Sequence, residues 1–126
     1  MIVLDASVLV AQLEADDRHH DRAAGALLAA ADEELAATTI ILAEVLVGPA
    51  RHGRLEVGQA LLRDLGVVEL PLASDAGSRL AALRALTGLR LPDCCVLLAA
   101  QEAGAHAIVT FDDRLAREAR RLGLVA

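Results

Sequence analysis

The chain has 126 residues, 56% of them apolar, two cysteines and a formal net charge of −6. That length is one domain able to bury roughly two-thirds of its unfolded surface, so the fold requires neither disulfide nor structural metal. No run approaches the roughly 18 uncharged apolar residues of a membrane span, and the N-terminus lacks a signal-peptide pattern, so the expected location is the cytoplasm, with no membrane partner. All twelve basic residues are arginines. Their exclusivity rules out Schiff-base chemistry and a Walker-type phosphate loop, and an acidic chain grips phosphate backbones only where metal or local arginines supply positive charge.

The chain opens on Ile2-Val3-Leu4, an apolar run that stops at Asp5. It reads as a buried parallel strand delivering a carboxylate, with Ser7 placed to cap the short helix that continues to Leu13. In open α/β sheets ligands bind beyond the carboxyl ends of strands, which makes Asp5 a candidate for chemistry; capping the next helix is the competing reading. Asp16-Asp17 then open a helix whose apolar stripe holds Ala23, Leu27, Leu28 and Ala31. His19 and His20 fall in its first turn and read as part of a solvated helix start.

Leu35 to Thr38 is the expected second strand, and Thr39 is placed to cap a helix from Ile40 to Val47 that Gly48-Pro49 disrupts. Within it Glu44 stands among apolar neighbours, on an exposed helix edge or in need of a partner or metal. Leu55 to Leu65 carries a helical stripe ended by Gly66, Val67 to Pro71 a third strand, and Ser74-Asp75 begin a helix ended by Thr87-Gly88. Pro92 suits a first helical position and Asp93 the first turn of a helix that is apolar on nearly every side, hence buried. Its adjacent Cys94 and Cys95 diverge along a helix and read as small core residues. Ala107 to Thr110 is a fourth strand ending in Phe111-Asp112-Asp113, followed by a last amphipathic helix and a possible edge strand at Leu124-Val125.

Strands alternate with helices from end to end, without repeat or linker. The expected architecture is one α/β domain over 1–126 with a mostly parallel central sheet of four to five strands and helices on both faces. In that frame Asp5, Asp93 and Asp112 all fall at the carboxyl edge of the sheet or at a helix start facing the crevice. Converging carboxylates repel, by up to a few kcal/mol per close pair at an effective dielectric near 20, so such a cluster implies a cation. All-oxygen ligands favour Mg²⁺ or Mn²⁺ over Zn²⁺.

Val3-Leu4-Asp5-Ala6-Ser7, Leu42-Ala43-Glu44-Val45, Leu91-Pro92-Asp93 and Val109-Thr110-Phe111-Asp112 resemble, in order and spacing, the PIN domain, and the length resembles the stand-alone toxins of VapBC type. The resemblance implies a metal-dependent endoribonuclease whose acidic quartet, Asp5, Glu44, Asp93 and Asp112, binds Mg²⁺ or Mn²⁺ and activates water against an RNA phosphodiester. Asp5 and Asp93 match the main metal ligands, Glu44 a residue orienting water or a ligand, and Asp112 the completion of the shell or of a weaker second site. Ser7 and Thr110 match supporting polar positions, and Asp113 shares or exchanges the role of Asp112. The resemblance further implies a homodimer, expected here to use Leu42, Val45 and Leu46 with the Leu55 to Leu65 helix, and a VapB-type antitoxin. The non-catalytic alternative is a PIN-like protein-binding module with an idle acidic site. Phosphoaspartate receivers and haloacid-dehalogenase-like phosphatases also place an Asp after a first strand, but both normally need a Lys.

Overall fold

Short apolar runs form the strands, and the longer segments between them, with helical periodicity, form helices. The computed structural model describes residues 1–126. In chain order the elements are β1 (Ile2–Leu4), α1 (Ala6–Leu13), α2 (His20–Ala29), β2 (Leu35–Thr38), α3 (Thr39–Arg51), α4 (Leu55–Asp64), β3 (Val68–Leu70), α5 (Ala76–Thr87), α6 (Leu91–Ala103), β4 (Ala107–Val109) and α7 (Asp113–Arg121).

The sheet has four strands, all parallel, in the order β3-β2-β1-β4. Ile2 pairs with Leu35 on one side and Ala107 on the other, while Ala36 pairs onward with Val68. From β1 the chain steps outward through β2 to β3, then returns to the opposite side of β1 for β4. That reversal opens a crevice beyond the carboxyl ends of β1 and β4, where open α/β sheets bind ligands. β1 and β2 are buried along their whole length, as parallel strands covered on both faces must be, whereas edge strand β3 exposes Val68 and Glu69.

Helix α6 explains its own apolarity. It packs beneath β1, β2 and β4 and also meets α3 and α5, so Cys94, Val96, Leu97 and Ala100 join one core with Leu4, Leu9, Ile41 and Leu115. Both cysteines are free and buried, as small core residues, and burial pushes both thiols up, keeping them protonated.

Several boundaries differ from the expectation. Helix α2 starts at His20 rather than at Asp16, because residues 15–18 form turns in which Asp17 accepts from the His19 N–H at 2.7 Å. The cap of α3 is Thr38, whose hydroxyl accepts from the Ile41 N–H at 3.2 Å, not Thr39. Gly48-Pro49 does not end α3, which runs on to Arg51; proline costs one backbone bond, and the Pro49 carbonyl then accepts from Arg54 at 2.8 Å to close the end. Gly58 lies where α4 crosses α3, and a Cβ there would meet Leu46 Cδ2 at 2.9 Å and Pro49 Cγ at 3.1 Å. Leu42 and Val45 point into the core, so they are unavailable to a partner; the apolar face left open on α3 and α4 is Val47, Leu55, Val57 and Leu61. Leu124-Val125 contributes one parallel bridge, Val125 to Ala107, rather than a strand.

Candidate active site

Three strands give way to a polar residue at their carboxyl ends: Asp5 follows β1, Thr38 ends β2 and Thr110 follows β4. Asp5 is 5% exposed. An ionised carboxylate at that depth needs donors, and two hydroxyls provide them. Ser7 Oγ and Thr110 Oγ1 each donate to Asp5 Oδ2 at 2.8 Å. The same hydroxyls accept from the next loop, Ser7 Oγ from the Phe111 N–H and Thr110 Oγ1 from the Asp112 N–H, both at 3.0 Å. The β4–α7 loop is thus tied to the β1–α1 turn through one carboxylate oxygen. Oδ1 of Asp5 takes no protein donor.

Ser7 therefore does not cap α1. Asp5 occupies the cap position of that helix without a side-chain bond to it, so its carboxylate is committed to the crevice. Asp112 caps α7, where Oδ1 accepts from Arg114 and Leu115 at 2.8 and 3.3 Å, which leaves its other oxygen unassigned.

Asp93 enters from the first turn of α6 and is 6% exposed. Burial, and next the Asp5 carboxylate, push its pKa up; Arg90, at 3.8 Å, opposes them, while Asp112 and Glu44 push the same way. Asp93 is the point at which the fields of the other three acids meet. Glu44 is exposed on α3, without hydrogen bond or ion pair, and acts on Asp93 through its charge alone. Asp113 is exposed in the first turn of α7 and is not among the charges acting on Asp93.

Asp5, Glu44 and Asp112 lie within electrostatic reach of Asp93, but no three acidic, histidine or cysteine side chains stand close enough together to enclose a metal ion. The donor set itself suits a hard cation, being all carboxylate oxygen, with Oδ1 of Asp5 open and Asp93 disfavoured in its charged form until positive charge arrives.

A profile of the PIN domain family matches residues 2–121. The chain belongs to the PIN domain family. Comparison with curated protein sequences gives no significant match. Among solved structures, this PIN domain is similar to VapC20 of Mycobacterium tuberculosis, described as a sarcin-ricin loop cleaving toxin, with a TM-score of 0.78 and 16% identity over 94% of this chain and 95% of that one. It is also similar to a chain of a toxin-antitoxin complex from Klebsiella pneumoniae, with a TM-score of 0.75 and 23% identity over 100% of this chain and 97% of that one. At such identities the likeness is one of fold. No helix of the domain is long and apolar enough to cross a membrane.

Sequence reasoning missed three neighbours of the crevice. His19 does not stand in open solvent but lines a groove with Ala6, Ser7, Asp17, Phe111 and Asp112. Its ring lies 5.4 Å from that of Phe111, and the Arg22 guanidinium sits 4.3 Å from the Phe111 ring centre. The available signal was Phe111 itself, the chain's one Phe, placed immediately before a candidate acid.

Proposed function

We propose that this PIN domain is a metal-dependent endoribonuclease, the toxin of a toxin-antitoxin pair, that hydrolyses RNA phosphodiester bonds at the acidic crevice. The observation that carries the reading is the convergence of charge on Asp93, which is buried and acted on by Asp5, Asp112 and Glu44 together. Kinship with a sarcin-ricin loop cleaving toxin and with a toxin-antitoxin complex supports RNA as substrate and a VapB-type antitoxin as partner.

In this reading Asp5 and Asp93 would hold Mg²⁺ or Mn²⁺, Asp112 would complete the ligand set, and the exposed Glu44 would orient the attacking water. The bound cation supplies positive charge to the phosphoryl oxygens and to that water. Ser7 and Thr110 hold Asp5 in one rotamer by occupying Oδ2, which would leave Oδ1 preorganised to ligate a bound cation. An antitoxin inhibits by placing an Arg or Lys among the same acids, in competition with metal. The exposed Val47, Leu55, Val57 and Leu61 form the face on which a homodimer is built.

Purified protein free of antitoxin should cut single-stranded RNA with Mg²⁺ or Mn²⁺, and chelation should stop it. Asp5→Asn and Asp93→Asn should each abolish cutting while remaining folded. Full activity in either folded variant overturns the assignment.

A further inference from the structure

The chain has one Phe, no Trp and no Tyr, so it offers almost no surface on which an unpaired base can stack. The fold places that one ring at the mouth of the acidic crevice. Phe111 is half-buried, anchored below by the core and through its backbone N–H by Ser7 Oγ. The His19 ring approaches it at 5.4 Å, inclined by 46°. Together the two rings line an open groove of about 470 Å³ whose other walls include Ser7, Asp17 and Asp112.

Cations gather at the same place. Arg22 covers the Phe111 ring at 4.3 Å, and Arg18 donates through Nε to His19 Nε2 at 3.2 Å. Two guanidiniums, Arg18 from the turn before α2 and Arg22 from its first turn, therefore flank the rings, in a chain whose net charge is −6. Asp17 adds a hydrogen-bond acceptor to the groove: its Oδ1 takes the His19 N–H at 2.7 Å, and its second oxygen takes no protein donor. An aromatic pair, a free carboxylate oxygen and flanking arginines beside a candidate phosphodiester site are the elements that recognise an unpaired base and its phosphates.

We propose that the groove lined by His19 and Phe111 is a nucleobase subsite, in which one unpaired base of the RNA stacks against the exposed ring surface next to the scissile phosphate. Arg18 and Arg22 hold the flanking phosphates, and Asp17 favours a base carrying an exocyclic amino group over uracil. The proposal rests on the ribonuclease reading for its substrate, but its test does not depend on cleavage. Phe111 gives the only phenylalanine ring signals in the proton NMR spectrum. Titration of the protein in Mg²⁺ with short single-stranded oligoribonucleotides, A6, C6 and U6, should shift the Phe111 and His19 ring resonances in a saturable manner, with U6 weakest.

Replacing one base of A6 by an abasic ribose should weaken binding at a single register. Phe111→Leu should weaken A6 binding by about 5- to 150-fold, the range of one lost base stack. His19→Ala, which leaves the core untouched, should weaken it in the same direction, and Asp17→Asn should narrow the difference between C6 and U6. If the oligonucleotides bind or are cut while the Phe111 signals stay in place and both ring variants keep wild-type affinity, the subsite is wrong and the ribonuclease reading stands. If the Phe111 signals shift and both ring variants weaken binding but no RNA is ever cut, the base-stacking site stands and the ribonuclease reading falls; if the signals shift while both variants keep wild-type affinity, the subsite is wrong. If nothing binds, the subsite is overturned.

Discussion

Asp5 and Glu44 carry the same charge into the same crevice under opposite physical conditions. Asp5 is buried and held by two hydroxyls that also fasten the Phe111 and Asp112 backbone, so its carboxylate is part of the fold. Glu44 is exposed on α3 with no partner at all, and the fold is indifferent to it. Between them Asp93 is buried like Asp5 but has only the Arg90 ion pair, at 3.8 Å, to offset its neighbours. Preorganisation and tension are therefore divided among residues. One acid is held by two hydroxyl donors, one is buried under the repulsion of its neighbours, and one stands exposed without a partner.

That division is tested first by activity. If Asp5 and Asp93 hold the cation, Asp93→Asn should lose on the order of 10³-fold in RNA cleavage, the several kcal/mol attributed to metal charge stabilisation. Glu44→Gln should lose less, because its oxygen still orients water. Single-turnover cleavage of one RNA by both variants checks the order, and an equal or larger loss in Glu44→Gln would reverse it.

The next effect is thermal. A metal that binds only the folded state adds about 2.7 kcal/mol at a hundredfold excess over its Kd, on the order of 10 °C in Tm for this size. Wild type should show that shift between chelator and saturating Mn²⁺, and Asp93→Asn should show little of it. In chelator the variant should melt at or above wild type, because repulsion is gone. The sign with pH follows from the raised pKa: folded Asp93 binds its proton more tightly than the unfolded chain does. Its contribution is fully present below the ordinary value of 3.8 and is lost as pH rises through the raised value. The advantage of Asp93→Asn over wild type in chelator should therefore shrink on acidification; an advantage constant with pH would remove repulsion as the cause.

Smaller still is the hydroxyl network. Ser7→Ala strips a donor from buried Asp5 and an acceptor from the Phe111 N–H, a cost of about 1–3 kcal/mol, and Thr110→Val should match it. Denaturant melts of the two variants and of the double variant read this directly, and because both hydroxyls share one carboxylate oxygen the losses should not add. The smallest effect is that of Glu44→Gln on stability, expected within about 0.5 kcal/mol as for other exposed substitutions. A larger loss in chelator would show that Glu44 is built into the fold after all.

Much of this was legible in the chain because local signals and global architecture agree. Apolar runs ending on acids, Gly88 and Gly104 closing their helices in left-handed conformation, and the all-round apolarity of Leu91–Ala103 each point to one answer, and the parallel sheet follows from their alternation. Hydrogen-bond choice was not legible. Ser7 had the spacing of a helix cap, but a buried carboxylate two residues away and an unpaired N–H 104 residues further along bound it more strongly. His19 had the surroundings of a solvated helix start, and only the packing of α1 on α2 carried it to Phe111.

The sequence by itself determined which residue types reach the carboxyl edge of the sheet, since strand length and helix phase are read from neighbours a few positions apart. The tertiary structure alone decided what each becomes there. The reversal of strand order after β3 brings Thr110 beside Asp5, 105 residues away, and the placement of α6 under β1 buries Asp93 among like charges. Burial and charge proximity depend on distances between segments remote in the chain, and these exist only once the sheet has closed.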